Sequence, residues 1–199
     1  SFPGEMLDHD ASKLDYVVID CEMTGLNSKK DRLLSIAAVK ISQGKILSND
    51  TFYKVIFQEA HVLREETILI HRLNHQQVSN GQNQEAVIND LIIFCQGYIP
   101  VGHFFDIDLG FLSPLLPKPF SYPHVDTRWI ANYLLCDAHT NELKLDLESL
   151  CKRYSIPSFQ AHNALGDATA TACLFIKLLA ELRHKQLVSF DSVLASIQG

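Results

Sequence analysis

The sequence predicts an α/β fold built on one mixed sheet, and three observations carry that prediction. Three short β-prone runs stand near the N-terminus, the clear helical periodicities come after them, and a fourth apolar run at Tyr98–Val101 separates two of those helices. Strands first, then strand and helix alternating, is the order of a sheet with helices packed on its faces. A chain of 199 residues, 47% apolar and 20% charged, suits one domain with a single sizeable core.

The elements follow in order. Tyr16-Val17-Val18-Ile19 is β-branched and aromatic, bounded by polar residues, and reads as a buried strand. Leu33 to Ile41 and Thr51 to Phe57 read as the second and third strands, with Ser42-Gln43-Gly44-Lys45 as a hairpin turn before the third. Ala86, Ile88, Leu91, Ile92 and Cys95 give helical spacing over Glu85 to Cys95, and a strand follows at Tyr98 to Val101. The prolines between Ser113 and Pro123 leave only loop there. Thr127 to Leu135 and Leu145 to Tyr154 read as helices. The longest helix runs from about Asn163 to about Leu182, with Ala168, Ala172, Phe175 and Leu179 as its apolar stripe.

Several function classes are excluded early. No apolar run approaches the roughly 20 residues that span a bilayer, and the acidic stretch Ser1 to Asp10 lacks a basic secretory start. The expectation is a cytoplasmic protein with no membrane partner. Cys21, Cys95, Cys136, Cys151 and Cys173 are odd in number and form no Cys-x-x-Cys pair, so they read as reduced thiols rather than a disulfide framework or a zinc site. A net charge of −6 argues against coating nucleic acid by bulk electrostatics but leaves room for acids clustered around cations.

Three segments carry chemistry. Asp20-Cys21-Glu22 continues the first strand, where alternate side chains share a face, so both carboxylates project together. Like charges so close raise each other's pKa unless a cation lies between them, and oxygen ligands suit a hard cation. A chain of this composition supplies about 0.6 Asp-x-Glu pairs by chance, so the pair alone is weak. Asp146-Leu147-Glu148 is such a decoy, set in a helix where residues two apart diverge. The second segment, His103 to Leu112, places Asp106 and Asp108 just past a strand at the carboxyl edge of the sheet, where α/β folds keep their sites. The alternative for these acids is to complement a helix dipole. The third is His162-Asn163-Ala164-Leu165-Gly166-Asp167. Residues five apart on a helix diverge by about 140°, so His162 shares a site with Asp167 only if it stands before the helix. Asn163 is a good N-cap and puts it there, free to act as a general base.

Taken together these segments resemble the DnaQ-like 3′→5′ exonucleases with four acids and a histidine, the group that includes the proofreading exonuclease of bacterial DNA polymerase III. Tyr16 to Leu26 is similar to the family's first motif, Val101 to Leu112 to its second, and His162 to Ala170 to its third. Ile70-His71-Arg72-Leu73-Asn74, Val125-Asp126-Thr127 and Leu147 to Ile156 are lesser likenesses, and the whole covers about Asp15 to Leu182 in the family's order. The resemblance implies a ribonuclease H-like five-stranded mixed sheet over residues 15–184, with 1–14 as an extension and 185–199 as a tail. It selects Asp108 over Asp106, because Phe-Asp-x-x-Phe-Leu maps onto Ile107 to Leu112. It departs from the family at Phe104, where Asn is usual; the ring either stacks on a base or is simply buried.

The resemblance further implies that Asp20, Glu22, Asp108 and Asp167 hold two divalent ions, Mg²⁺ or Mn²⁺, with His162 as the general base. Met23 is then an apolar wedge at the terminal nucleotide, and Thr24 and Gly25 offer backbone contacts, or else simply turn the chain. The expected substrate is a single-stranded 3′ end, DNA ahead of RNA, although the Asp20 to Leu26 string is also similar to oligoribonucleases. A binding module without activity and a hydrolase of small phosphorylated molecules are the rival readings. Gln186-Leu187-Val188-Ser189-Phe190 resembles peptides that dock on bacterial sliding clamps, so a clamp or a polymerase is a possible partner; a tail packed on its own domain is the other reading.

Overall fold

The computed structural model describes residues 6–59, 62, 73–117, 123–136, 143–157, 159 and 163–198. Five strands form one sheet in the order β3-β2-β1-β4-β5. They are β1 (Tyr16–Met23), β2 (Leu33–Ser42), β3 (Lys45–Val55), β4 (Ile99–Gly102) and β5 (Val125–Asp126). The first three run antiparallel, whereas β4 pairs parallel to β1 and β5 parallel to β4, as a mixed sheet requires.

The hairpin between β2 and β3 turns at Gln43 and Gly44, both at positive φ (51° and 73°), the two-residue turn whose twist matches its flanking strands. β3 begins at Lys45, six residues before the apolar run at Thr51. Its first half lies on the sheet edge with mostly exposed side chains, so no hydrophobic alternation marks it, and the ladder to β2 alone extends the strand. The proline-rich stretch also differs from expectation, since Ser113–Leu115 closes into a 3₁₀ turn with a proline in its first positions.

The helices are α1 (His75–Ser79), α2 (Gln84–Cys95), α3 (Phe105–Leu112), α4 (Thr127–Leu135), α5 (Leu147–Arg153), α6 (Ala164–His184) and α7 (Phe190–Ser196). Each face of the sheet has its own core. Tyr16, Val18, Ala37 and Val39 pack with Ala164, Ala168, Ala172, Phe175 and Leu178 of α6. Val17, Ile19, Ile36 and Ala38 pack on the opposite face with Val87, Ile88 and Leu91 of α2 and Phe105, Phe111 and Leu112 of α3. The alternation along β1 therefore feeds two layers at once. Phe190 of α7 is fully buried against the ring of Tyr16, and Ala11 joins the same core. The segment Gln186 to Phe190 thus packs on its own domain, and the phenylalanine of the clamp-like peptide is not displayed. Among the described residues, no helix is long and apolar enough to cross a membrane.

Candidate active site

β1 outruns its neighbour. Its parallel pairing with β4 ends at Val18 opposite Val101, yet the strand continues to Met23. Asp20 and Glu22 lie on this overhang and face α6, because they alternate with the core residues Ile19 and Cys21 of the other face. Asp167, in the first turn of α6, meets them there. Ligand atoms of Asp20, Glu22 and Asp167 all lie within 4.8 Å of one another.

The start of α6 makes this approach possible. Asn163 is its N-cap, as expected, and its Oδ1 accepts the N–H groups of Leu165 at 3.0 Å and Gly166 at 3.4 Å. His162 lies outside the described residues, as does His71 of the lesser likeness.

Asp108 enters from α3. It is buried, and its Oδ1 accepts the Cys21 N–H at 2.8 Å. The carboxylate thereby satisfies a β1 amide beyond the last pairing with β4. Asp106 turns outward and pairs with Arg128 at 3.3 Å, with a side chain 68% exposed. Asp108 is thus the acid that adjoins the cluster. Its carboxyl is pushed up to about 7, chiefly by burial, with the Glu22 charge adding to it against the hydrogen bonds from Cys21. Asp20 is raised well above the carboxylate range by burial and then by Asp108, Glu22 and Asp167. Mutual repulsion among clustered carboxylates is the kind of field that a bound cation relieves.

The turn after β1 is held from within. Asp31 accepts the Thr24 hydroxyl at 3.2 Å and the Asn27 N–H at 2.9 Å, while Thr24 Oγ1 accepts the Arg32 N–H at 2.9 Å. A Cβ on Gly25 would lie 2.5 Å from the Asp31 carboxylate, so a larger residue there would displace Asp31 from the bonds that hold the turn. Met23 is buried in the α2–α3 core, not displayed beside the carboxylates, so the wedge expected of it is not presented; strand alternation sends it to the opposite face from Glu22. Asp146 proves to be the N-cap of α5, bonded to Ser149, which removes it from the site for a reason other than helical divergence.

Phe104 occupies the N-cap position of α3 in the left-handed region (φ 50°, ψ 45°). Its ring meets the Arg128 guanidinium at 4.3 Å and the edge of His103 at 5.2 Å. Arg128 also lies over the Trp129 ring at 4.3 Å, a second cation–π contact. His103 Nε2–H donates to the Leu145 carbonyl at 2.7 Å and Nδ1 lies 2.8 Å from Thr127 Oγ1, while burial holds its pKa below the ordinary value. It joins β4 to the segment before α5.

Sequence reasoning missed Asp126. Buried at the end of β5, it accepts the N–H groups of Phe104 at 3.1 Å, Phe105 at 3.0 Å and Arg128 at 2.9 Å, together with Arg128 Nη2 at 3.3 Å. One carboxylate thus caps α4 and fixes the entry of α3, the helix that carries Asp108. An acid directly before a helical run was the available signal.

Comparison with known proteins agrees with this geometry. The model of a family described as "Exonuclease" matches residues 17–175. The chain is 31% identical over 176 residues to a PolC-type DNA polymerase III of Oceanobacillus iheyensis, covering 86% of this chain and 12% of that protein. It is 28% identical over 182 residues to the PolC-type polymerase of Staphylococcus haemolyticus, covering 89% and 12%. The chain therefore spans about an eighth of the length of the curated relatives it matches. Among solved structures, E. coli exonuclease I in complex with a dT13 oligonucleotide superposes with a TM-score of 0.71 at 16% identity, over 87% of this chain and 43% of that one. Exonuclease X in complex with 5′ overhanging duplex DNA gives 0.67 at 21%, over 91% and 99%. These two likenesses share the ribonuclease H-like sheet. The motifs, their convergence on one sheet edge and the family match place this chain in the DnaQ-like 3′→5′ exonuclease family.

Proposed function

We propose that the chain is a metal-dependent 3′→5′ exonuclease that releases 5′-mononucleotides from single-stranded ends. The observation that carries this reading is the approach of the Asp20, Glu22 and Asp167 oxygens to within 4.8 Å, with buried Asp108 adjoining. The donor set is all carboxylate oxygen, which suits Mg²⁺ or Mn²⁺. Two such ions held by the four acids would supply the charge that lowers the pKa of an attacking water and steadies the leaving 3′-oxygen.

The chain's own residues supply the rest. His162 accepts the proton of the attacking water, from a position ahead of the α6 cap. The backbone at Thr24 and Gly25, braced by Asp31, flanks the terminal nucleotide. The Phe104 ring, backed on one face by Arg128, offers the other to a base, a contact that tolerates any sequence. DNA is the favoured strand, since the matched relatives are DNA polymerases and one solved likeness holds an oligothymidylate. The same relatives make a polymerase the expected partner of this domain. The oligoribonuclease-like first motif keeps short RNA as the second substrate to assay.

The test uses 5′-labelled single-stranded DNA and RNA with Mg²⁺, with Mn²⁺ and with chelator, beside Asp20→Ala. A ladder shortening from the 3′ end, abolished by chelator and by the substitution, is the expected result; no digestion with either metal refutes the proposal. His162→Ala should remove most turnover while metal still binds, and near-normal activity in that variant refutes the base assignment.

A further inference from the structure

α4 has one face that the core does not use. Ile130 and Ala131 are fully buried on the side packed with α6, whereas Trp129 and Tyr133, one turn apart, stay 42% and 47% exposed. A single surface aromatic is ordinary. Here two on one helix adjoin a third ring, because the Arg128 guanidinium carbon lies 4.3 Å from the ring centres of both Phe104 and Trp129. Those two rings are therefore at most twice that distance apart, and Tyr133 follows one helical turn beyond.

The row starts at the site. β1, β4 and β5 run parallel, so their carboxyl ends share the edge that carries Asp20 and Glu22. Phe104 follows β4 at that edge, and Arg128 and Trp129 lie in the first turn of α4, which begins directly after β5. The row ends in a cleft of about 270 Å³ between α4 and the end of α7, lined by Trp129, Asn132, Tyr133, Ser196 and Ile197. The charge of Arg128 is already met by Asp106 and Asp126, each at 3.3 Å. What the row turns outward is thus flat π surface and not a phosphate-binding cation, and such a surface suits bases of any identity. Asn132 adds an amide able to donate and accept at a base edge.

We propose that Trp129 and Tyr133 form a stacking track for the single strand, receiving the bases on the 5′ side of the one at Phe104. The inference rests on the nuclease reading and deepens it: the site takes an extended strand of several nucleotides, held by ring contacts that do not depend on sequence.

Trp129 is the sole tryptophan, so its emission reports the track directly. In the Asp20→Ala chain, oligothymidylate of about twelve nucleotides is expected to quench that emission saturably, while thymidylate dinucleotide, too short to pass Phe104, leaves it unchanged. In the otherwise unmodified chain, Trp129→Ala is expected to raise KM for the longer strand by about five- to hundredfold, the scale of one stacked base. Its kcat and its KM for the dinucleotide should stay within about twofold, and its melting temperature within about 4 °C. Trp129→Phe, which keeps a ring, should restore most of the affinity. Emission that ignores the longer strand overturns the proposal and leaves this face to a protein partner. A KM raised equally for both substrates also overturns it, as a general distortion of the site. An unmodified chain that cuts neither substrate overturns the nuclease reading and this inference with it; an active chain indifferent to Trp129→Ala overturns this inference alone.

Discussion

Asp126→Ala tests how much of the site rests on a residue that never enters the carboxylate cluster. The substitution removes one acceptor from four donors at 2.9 to 3.3 Å and leaves the N–H groups of Phe104 and Phe105 without it. It also uncaps α4, worth about 1 kcal/mol, and leaves the Arg128 guanidinium paired with exposed Asp106. Each buried donor left unmet costs about 1–3 kcal/mol, and breaking a buried charge pair from one side costs about 3–5. These contributions share one carboxylate and do not add, so the expected loss is about 3–5 kcal/mol, a large part of a typical domain's 5–15. For a chain of this size that is a fall in melting temperature of roughly 6–20 °C. Urea unfolding followed through the fluorescence of Trp129, the sole tryptophan, measures it directly. Asp126→Asn, which retains one acceptor oxygen, should fall between the two. A loss below about 1 kcal/mol in Asp126→Ala would refute the reasoning, because the donors would then have found water or new partners at no cost.

Two further outcomes follow from the same geometry. Phe104→Asn should leave stability within about 1 kcal/mol of the original: asparagine tolerates the left-handed conformation and can cap α3, gains of about 1 kcal/mol each, against a lost cation–π contact of about 0.5–1 and some apolar burial. A fall in melting temperature beyond about 6 °C would show that the ring's contacts dominate. The metal-free chain should lose stability as pH rises from about 4 to above 7. Asp108, raised to about 7 when folded, keeps its proton across a range in which the unfolded chain has released it, so its contribution is present below about 4 and gone above 7. Melting curves across that range should show the decline, Asp108→Asn should flatten it, and a slope unchanged in that variant would refute the assignment.

Much of the architecture was legible because it is written in short-range pattern. Tyr16 to Ile19 is apolar on both faces since both faces are covered, and α6 declares itself by its stripe and its Asn163 cap. The first half of β3 was not legible, because an edge strand half in solvent needs no alternation. β5 has two residues, too few for any period, and only the family likeness implied a fifth strand. The four acids were readable as strand and helix positions. The residues that position them were not: Asp126 acts on amides more than twenty positions away. Met23 shows the reverse, a residue whose motif position suggested exposure while strand alternation sends it into the core.

The carboxylates come from two layers on opposite sides of one sheet and from widely separated points of the chain. Asp20 and Glu22 are made early, Asp108 midway, and Asp167 only once α6 has been synthesised and has packed against β1 and β2. A ribosome-bound fragment ending before α6 therefore holds three acids with no fourth and has lost the helical wall of its larger core. Domains with such distant contacts assemble late. The full set of four carboxylates is thus a late product of folding: a fragment that stops short of α6 carries the strand-borne acids without the helix that completes them.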